Sequence, residues 1–196
     1  MFGRHHAGHP VVDPVEFRQT CLESMLAVVE GRLDPGSTLI LHARERAVLE
    51  LHGAGLVEPR RGAGRWQGRS AGVSVPVGSV RVRVGKTHGT FVAGDETPTI
   101  VEAGLLTLTT SRAVFRGAIR TREWSWPKLA GVSYDTGHHW AALQVTNREK
   151  TSGFTYGSVP DDVMAGWVDV ALGLWRGDEA KLVEDLRAQI DQLAGR

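Results

Sequence analysis

Seven basic side chains, Arg81, Arg83, Lys86, Arg112, Arg116, Arg120 and Arg122, fall between residues 81 and 122. A guanidinium presents N–H donors in a planar fork that matches carboxylate and phosphate oxygens, so a set of this kind is the chemistry of an anion-facing surface. In AIRTREWSW, alternation places Arg120, Arg122, Trp124 and Trp126 on one strand face. Two arrangements compete there: indoles stacking a base or headgroup beside the arginines, or indoles buried in a core with the arginines emerging at its rim.

Motifs that would carry a reaction are weak. Gly85-Lys86-Thr87 has the ending of a phosphate-binding loop, but the glycine needed earlier would fall at Val80, and the segment follows a hairpin pattern rather than opening a helix. Gly62, Gly64 and Gly68 miss the dinucleotide spacing by one residue. His5, His6, His9 and the pair His138-His139 lack carboxylates or cysteines at a recognised metal-ligand spacing, and read as a terminus and a loop tip. Cys21 lies among Phe17, Leu22 and Met25 and reads as a small apolar side chain. With no Gly-x-Ser-x-Gly turn either, we expect no enzyme, no cofactor and no metal.

The net charge of +1 conceals an asymmetry. Residues 60–128 hold ten Arg and two Lys against four acids, whereas residues 1–59 carry −3 and residues 161–196 carry −4. Acidic helices packed beside a basic sheet would neutralise part of that field; a basic surface left open would attract anions. One cysteine precludes an intramolecular disulfide and fits a reducing compartment. The N-terminus has no apolar segment of signal-peptide length, and VMAGWVDVALGLW is too short to span a bilayer and contains Asp169, so a cytoplasmic location is expected.

The elements that must position these residues follow from two periods. Asp13, Pro14 and Glu16 have the order of an N-cap, a first helical proline and a capping box. Phe17, Cys21, Met25 and Val28 then form one stripe, widened by Leu22, Leu26 and Val29, which Gly31 ends. From Arg44 to Glu58 a helix through His52 is one reading, but Gly53 and Gly55 fit better as a turn between two short strands. RRGAGRWQGRSAG reads as a flexible loop. VSVPVGSVRVRVG alternates throughout: a two-residue turn at Gly78-Ser79 sets Val77 against Val80, Val75 against Val82 and Val73 against Val84, with six valines facing a core. Further strands follow at HGTFV, GLLTLTTSRAVFRG, AIRTREWSW, LAGVSYD, ALQVTN and GFTYG. Val163, Met164, Trp167, Val170, Ala171, Leu174 and Trp175 then mark a buried helix ended by Gly177. Asp178 opens a last helix with the stripe Leu182, Leu186, Ile190 and Leu193.

Gly104, Leu106, Leu108, Thr109, Arg112, Val114, Phe115 and Gly117, followed by Trp124, Trp126, Lys128 and Leu129, resemble the pattern of bacterial pleckstrin-homology-like and GRAM-like domains. The resemblance covers about thirty residues clearly and extends over about 45–177. It implies an α+β fold: an antiparallel barrel or sandwich of about seven strands closed by a C-terminal helix, with an extra N-terminal helix and a second C-terminal helix. It also implies that Trp124 and Trp126 are core residues. The expected organisation is a disordered N-terminus over 1–12, a helical segment over 13–44, the β-domain with its capping helix over 45–177 and an amphipathic helix over 178–196.

Domains of this type are usually non-catalytic. The expected function is therefore a binding or scaffolding module acting through protein contacts, with a homo-oligomer among the expected assemblies. Attachment to an anionic phospholipid surface is the alternative, and nucleic-acid binding through the Arg/Gly segment and Trp66 a weaker one. Arg81→Glu combined with Arg83→Glu is expected to leave folding intact, by circular dichroism, while weakening partner binding. An insoluble double variant would make those arginines structural.

Overall fold

A period of two governs the middle of the chain and a helical period its flanks, and the computed structural model of the protein is α+β accordingly. It describes residues 13–61, 65–70, 73–77, 80–84, 87–92 and 95–195, with side chains described outside 65–92. Seven strands, β1 (Ala47–Arg61), β6 (Glu96–Thr109), β7 (Arg112–Gly117), β8 (Thr121–Ser125), β9 (Leu129–Asp135), β10 (Trp140–Val145) and β11 (Ser152–Thr155), form one curled antiparallel sheet, a half-barrel. Its order is β8-β7-β6-β1-β11-β10-β9. The first strand of the sheet therefore lies at its centre, and the fourth and fifth are its edges. Helices α1 (Pro14–Val29), α2 (Asp161–Arg176) and α3 (Glu179–Ala194) complete the fold.

Residues 58–99 form a second compact unit. Within it β2 (Arg65–Ser70) pairs with β5 (Thr87–Val92), and β3 (Val73–Val77) pairs with β4 (Val80–Val84). The β3–β4 register is Val73 to Val84, Val75 to Val82 and Val77 to Val80, as the alternation requires. Gly78 and Ser79 lie outside the described residues. This ribbon forms its own two-stranded sheet rather than two strands of the seven-stranded one, where the sequence reading places it; the side chains of its valines lie outside the described residues. RWQGRS is likewise a strand rather than a loop, because it has Thr87–Val92 as an antiparallel partner.

Gly53 and Gly55 do not turn the chain. Both lie inside the single strand β1, Gly53 with a φ of 75°. At Gly55 a Cβ would stand 2.6 Å from Thr155 Oγ1 and 2.9 Å from Ile100 Cγ2, and the Gly55 amide donates to that same Thr155 oxygen at 2.8 Å. These glycines admit a local kink and a close neighbour, two uses that a strand makes of glycine as readily as a turn does.

The core sits between the sheet and the helices. Leu56, Leu106, Leu108, Phe115, Trp124, Leu143 and Phe154 from the strands meet Met164, Trp167, Val168 and Ala171 of α2. Full burial of an aliphatic or phenyl side chain contributes about 1.5–3 kcal/mol. The Trp124 ring meets Phe154 edge-on at 6.2 Å and its Nε1 donates to Ser152 Oγ; Trp126 Nε1 donates to the Thr109 carbonyl at 2.9 Å. Both indoles are thus buried with their polar atom satisfied, the core arrangement expected from the sequence.

The helix ends follow the sequence at α1 and α2, with no reciprocal Glu16 bond of a capping box among the described residues. The Asp13 carboxylate accepts from Val15 N–H at 2.9 Å at the start of α1, and Gly31 follows its end with a φ of 68°. Asp161 and Asp162 stand in the first turn of α2, Arg176 in its last, and Gly177 closes it in the left-handed conformation. Asp178 holds the N-cap position of α3 without a side-chain cap bond. Among the described residues no helix is long and apolar enough to cross a membrane.

At Gly153 a Cβ would lie 1.8 Å from the Ala141 carbonyl oxygen across the β10–β11 pair, against backbone that cannot rotate away. Gly153→Ala should therefore lower the stability by about 1–3 kcal/mol or more in a denaturant titration. An unchanged midpoint would mean that these strands are not held at that spacing.

Candidate interaction groove

Three helical stripes converge on one groove of about 390 Å³. Arg18, Cys21, Leu22 and Met25 come from α1, spaced so that one helix face carries all four. Asp162, Val163, Gly166, Asp169 and Val170 come from α2, and Leu182, Asp185, Leu186, Gln189, Gln192 and Leu193 from α3. The floor is made of the buried side chains of Met25, Val163, Val170 and Leu186. Leu22, Leu182 and Leu193 are half-buried, while Asp162, Asp169 and Asp185 are exposed. The groove is thus apolar inside and carboxylate-edged.

Two glycines, one heptad apart on α2, bring the helices this close. A Cβ at Gly166 would meet Met25 Cε at 3.1 Å, and one at Gly173 would meet Leu182 Cδ1 at 2.7 Å. The lack of a side chain at those two points lets Met25 of α1 and Leu182 of α3 pack directly against the backbone of α2. Arg18 Nε then reaches Asp162 Oδ2 at 3.1 Å, an exposed pair that fixes orientation more than it adds stability. Burial raises the Cys21 thiol and the Asp162 charge raises it further, which keeps it protonated and unlike an activated nucleophile. Asp169 is exposed as a residue, yet partial desolvation of its carboxyl by the neighbouring chain raises it, opposed by Arg176.

The first turn of α2 is tied to the sheet. The Asp161 carboxylate oxygen Oδ1 accepts from the Tyr156 hydroxyl at 2.7 Å and lies 2.9 Å from His139 Nδ1. These hydrogen bonds, Tyr156 first, hold Asp161 below the ordinary aspartate range. His138 Nδ1 lies 3.0 Å from Asp135 Oδ2. The two histidines therefore do have carboxylate neighbours, which the sequence reading missed. Asp135 precedes His138 by three residues, a spacing that could have been noticed, whereas Asp161 is brought in only by the fold. Among the described residues no three such side chains gather closely enough to hold a metal ion.

Of the expected anion-facing set, Arg112 is the member that the structure withdraws from solvent. It is 9% exposed, on the face of β7 opposite the core residues Ala113 and Phe115. Its Nε and Nη2 donate to the two oxygens of Glu45 at 2.9 and 3.1 Å, Nη1 to Glu123 at 2.8 Å, and Nη2 also to the Ile40 carbonyl. Arg116 donates to the carbonyl and hydroxyl of Thr38. The Arg120 amide donates to Glu102 Oε2 at 3.0 Å, and Arg122 is half-buried on β8. Arg148, which the sequence did not single out, stands near Arg122: burial first and then that like charge lower its pKa. Lys86 lies outside the described residues, as do the side chains of Arg81 and Arg83 and the histidines at 5, 6 and 9. No family model, curated protein or solved structure matches this chain.

Glu45 is the acid that the sequence did not mark. Its side chain is 1% exposed, and burial alone would raise its pKa. Hydrogen bonds from Arg112, the His42 amide, Thr109 and Ser111 outweigh that and hold it at about 2 against an ordinary 4.5. A carboxylate so lowered adds stability that is complete above pH 4.5 and lost as pH falls toward 2, about 3 kcal/mol in all. Urea titrations across that range should show the stability gap between wild type and Glu45→Gln narrowing with acid. A gap that stays constant would deny the shift.

Proposed function

We propose that this chain is a non-catalytic, pleckstrin-homology-like binding module that acts through protein contacts. The observation that carries the reading is the groove between α1, α2 and α3, an apolar floor edged by Asp162, Asp169 and Asp185. A half-buried apolar cleft with a polar rim has the composition of a surface that loses water to a partner protein. The central position of the first strand in a curled seven-stranded sheet, followed by a C-terminal helix, supports the family resemblance. The internal engagement of Arg112 and the contact of Arg116 with Thr38 weaken the case for a continuous anion-binding face.

The test uses the full chain in three assays: affinity capture from the source cells with mass identification and rebinding of the purified partner, co-sedimentation with anionic vesicles, and a mobility shift with single-stranded nucleic acid. A partner protein that rebinds in purified form is expected, with no retention by vesicles or nucleic acid. Retention by either of those, falling steeply with salt, or the absence of any rebinding protein, would overturn the proposal.

A further inference from the structure

We infer that the groove receives a basic amphipathic helix of the partner protein, an inference that rests on the protein-binding reading and names the chemistry of the partner. Asp162 and Asp169 lie seven residues apart on α2, which at 1.5 Å per residue sets their Cα atoms about 10 Å apart along one face. Arg18 of α1 already engages the Asp162 end of this row, which leaves Asp169 as the α2 carboxylate for a cation of the incoming helix. Asp185 adds a carboxylate from the α3 wall.

The molecule already contains one instance of this docking. On α1, Cys21, Leu22 and Met25 enter the groove, Met25 packs over Gly166, and Arg18 on the same face reaches Asp162. An apolar stripe flanked by a cation is the combination that α2 accepts there. Arg18 answers Asp162, and among the described residues that line the groove one cation stands against three carboxylates. The excess negative charge beside the half-buried Leu22, Leu182 and Leu193 favours a partner stripe of aliphatic residues edged by Lys or Arg, and disfavours an acidic helix.

The probe is a labelled 18-residue Leu/Lys helix of amphipathic pattern, titrated into the full chain and followed by fluorescence anisotropy. A Leu/Glu helix of the same pattern and a Leu/Lys peptide of the same composition with its periodicity scrambled serve as controls. The amphipathic Leu/Lys helix should bind at least about tenfold more tightly than either control. Asp169→Asn combined with Asp185→Asn should weaken it about tenfold while circular dichroism stays unchanged, and Leu193→Gln should weaken it independently of charge. Bound probe should also slow alkylation of Cys21, the only cysteine in the chain, which lines the groove.

Equal binding of the scrambled peptide, equal binding to the Asn variant, or an unchanged alkylation rate would overturn the inference. So would no binding at all. If the capture experiment yields a rebinding protein while the Leu/Lys helix fails here, the protein-binding reading stands and only the choice of this groove and this partner chemistry falls.

Discussion

A buried ion pair holds the outer face of the half-barrel. Glu45 precedes the first strand of the sheet and Arg112 opens the third, and their forks meet through two parallel hydrogen bonds at 2.9 and 3.1 Å. Removing water from two charges costs several kcal/mol each, so the pair is tolerable only because its remaining donors and acceptors are filled. Thr109 and Ser111 donate to Glu45, and Glu123 and the Ile40 carbonyl accept from Arg112. The result ties together the segment before β1, the β6–β7 turn and the edge strand β8. Glu50 repeats the device one step along, accepting from Ser37, the Thr38 amide and Thr107. Apolar packing supplies the driving force for the sheet, and these acids specify where the connecting segment crosses it.

That constraint separates two roles for arginine which composition cannot distinguish. Arg112 and Arg116 count toward a positive middle of the chain, yet both face oxygens of the residue 38–45 segment. The acidic ends of the chain are divided in the same way. Glu45 is buried and Glu50 half-buried among its donors, whereas Asp169 and Asp185 stand exposed at the helical groove. The field of the whole molecule is therefore less informative than the environment of each charge.

The regular parts of the fold were legible because periodicity is local. The apolar run from Val163 to Leu174 with Gly177 behind it marks α2 and its end, although Trp175 is exposed rather than buried, and the alternation of Val73–Val84 sets the β3–β4 register. What alternation could not supply was a partner. The valine ribbon pairs with itself, and nothing in VSVPV or VRVRV distinguishes that from a strand in a larger sheet. Gly53 and Gly55 misled for a related reason: positive φ and close approach occur in turns and in kinked strands alike, and only the Thr155 side chain across β11 decides between them. Arg112 was visible as a cation, but its counter-ion lies 67 residues back. The groove itself draws on three helices, two of them separated by the whole β-region, and its acids became a site only once Gly166 and Gly173 had brought those helices together.

The hydrogen bonds to Asp161 reach beyond the turn they close. An α-helix is rigid about its own axis, and each residue advances about 100° around it. By anchoring the first residue of α2 to Tyr156 and lying beside His139, the protein sets the angular phase of every later side chain on that rod. Inserting or deleting one residue after Asp161 would swing Asp169 and Val170 a quarter-turn or more from where they now stand, even with all sixteen positions still helical. The direction in which the groove looks is thus decided at the sheet, more than two turns away from the carboxylate at its rim.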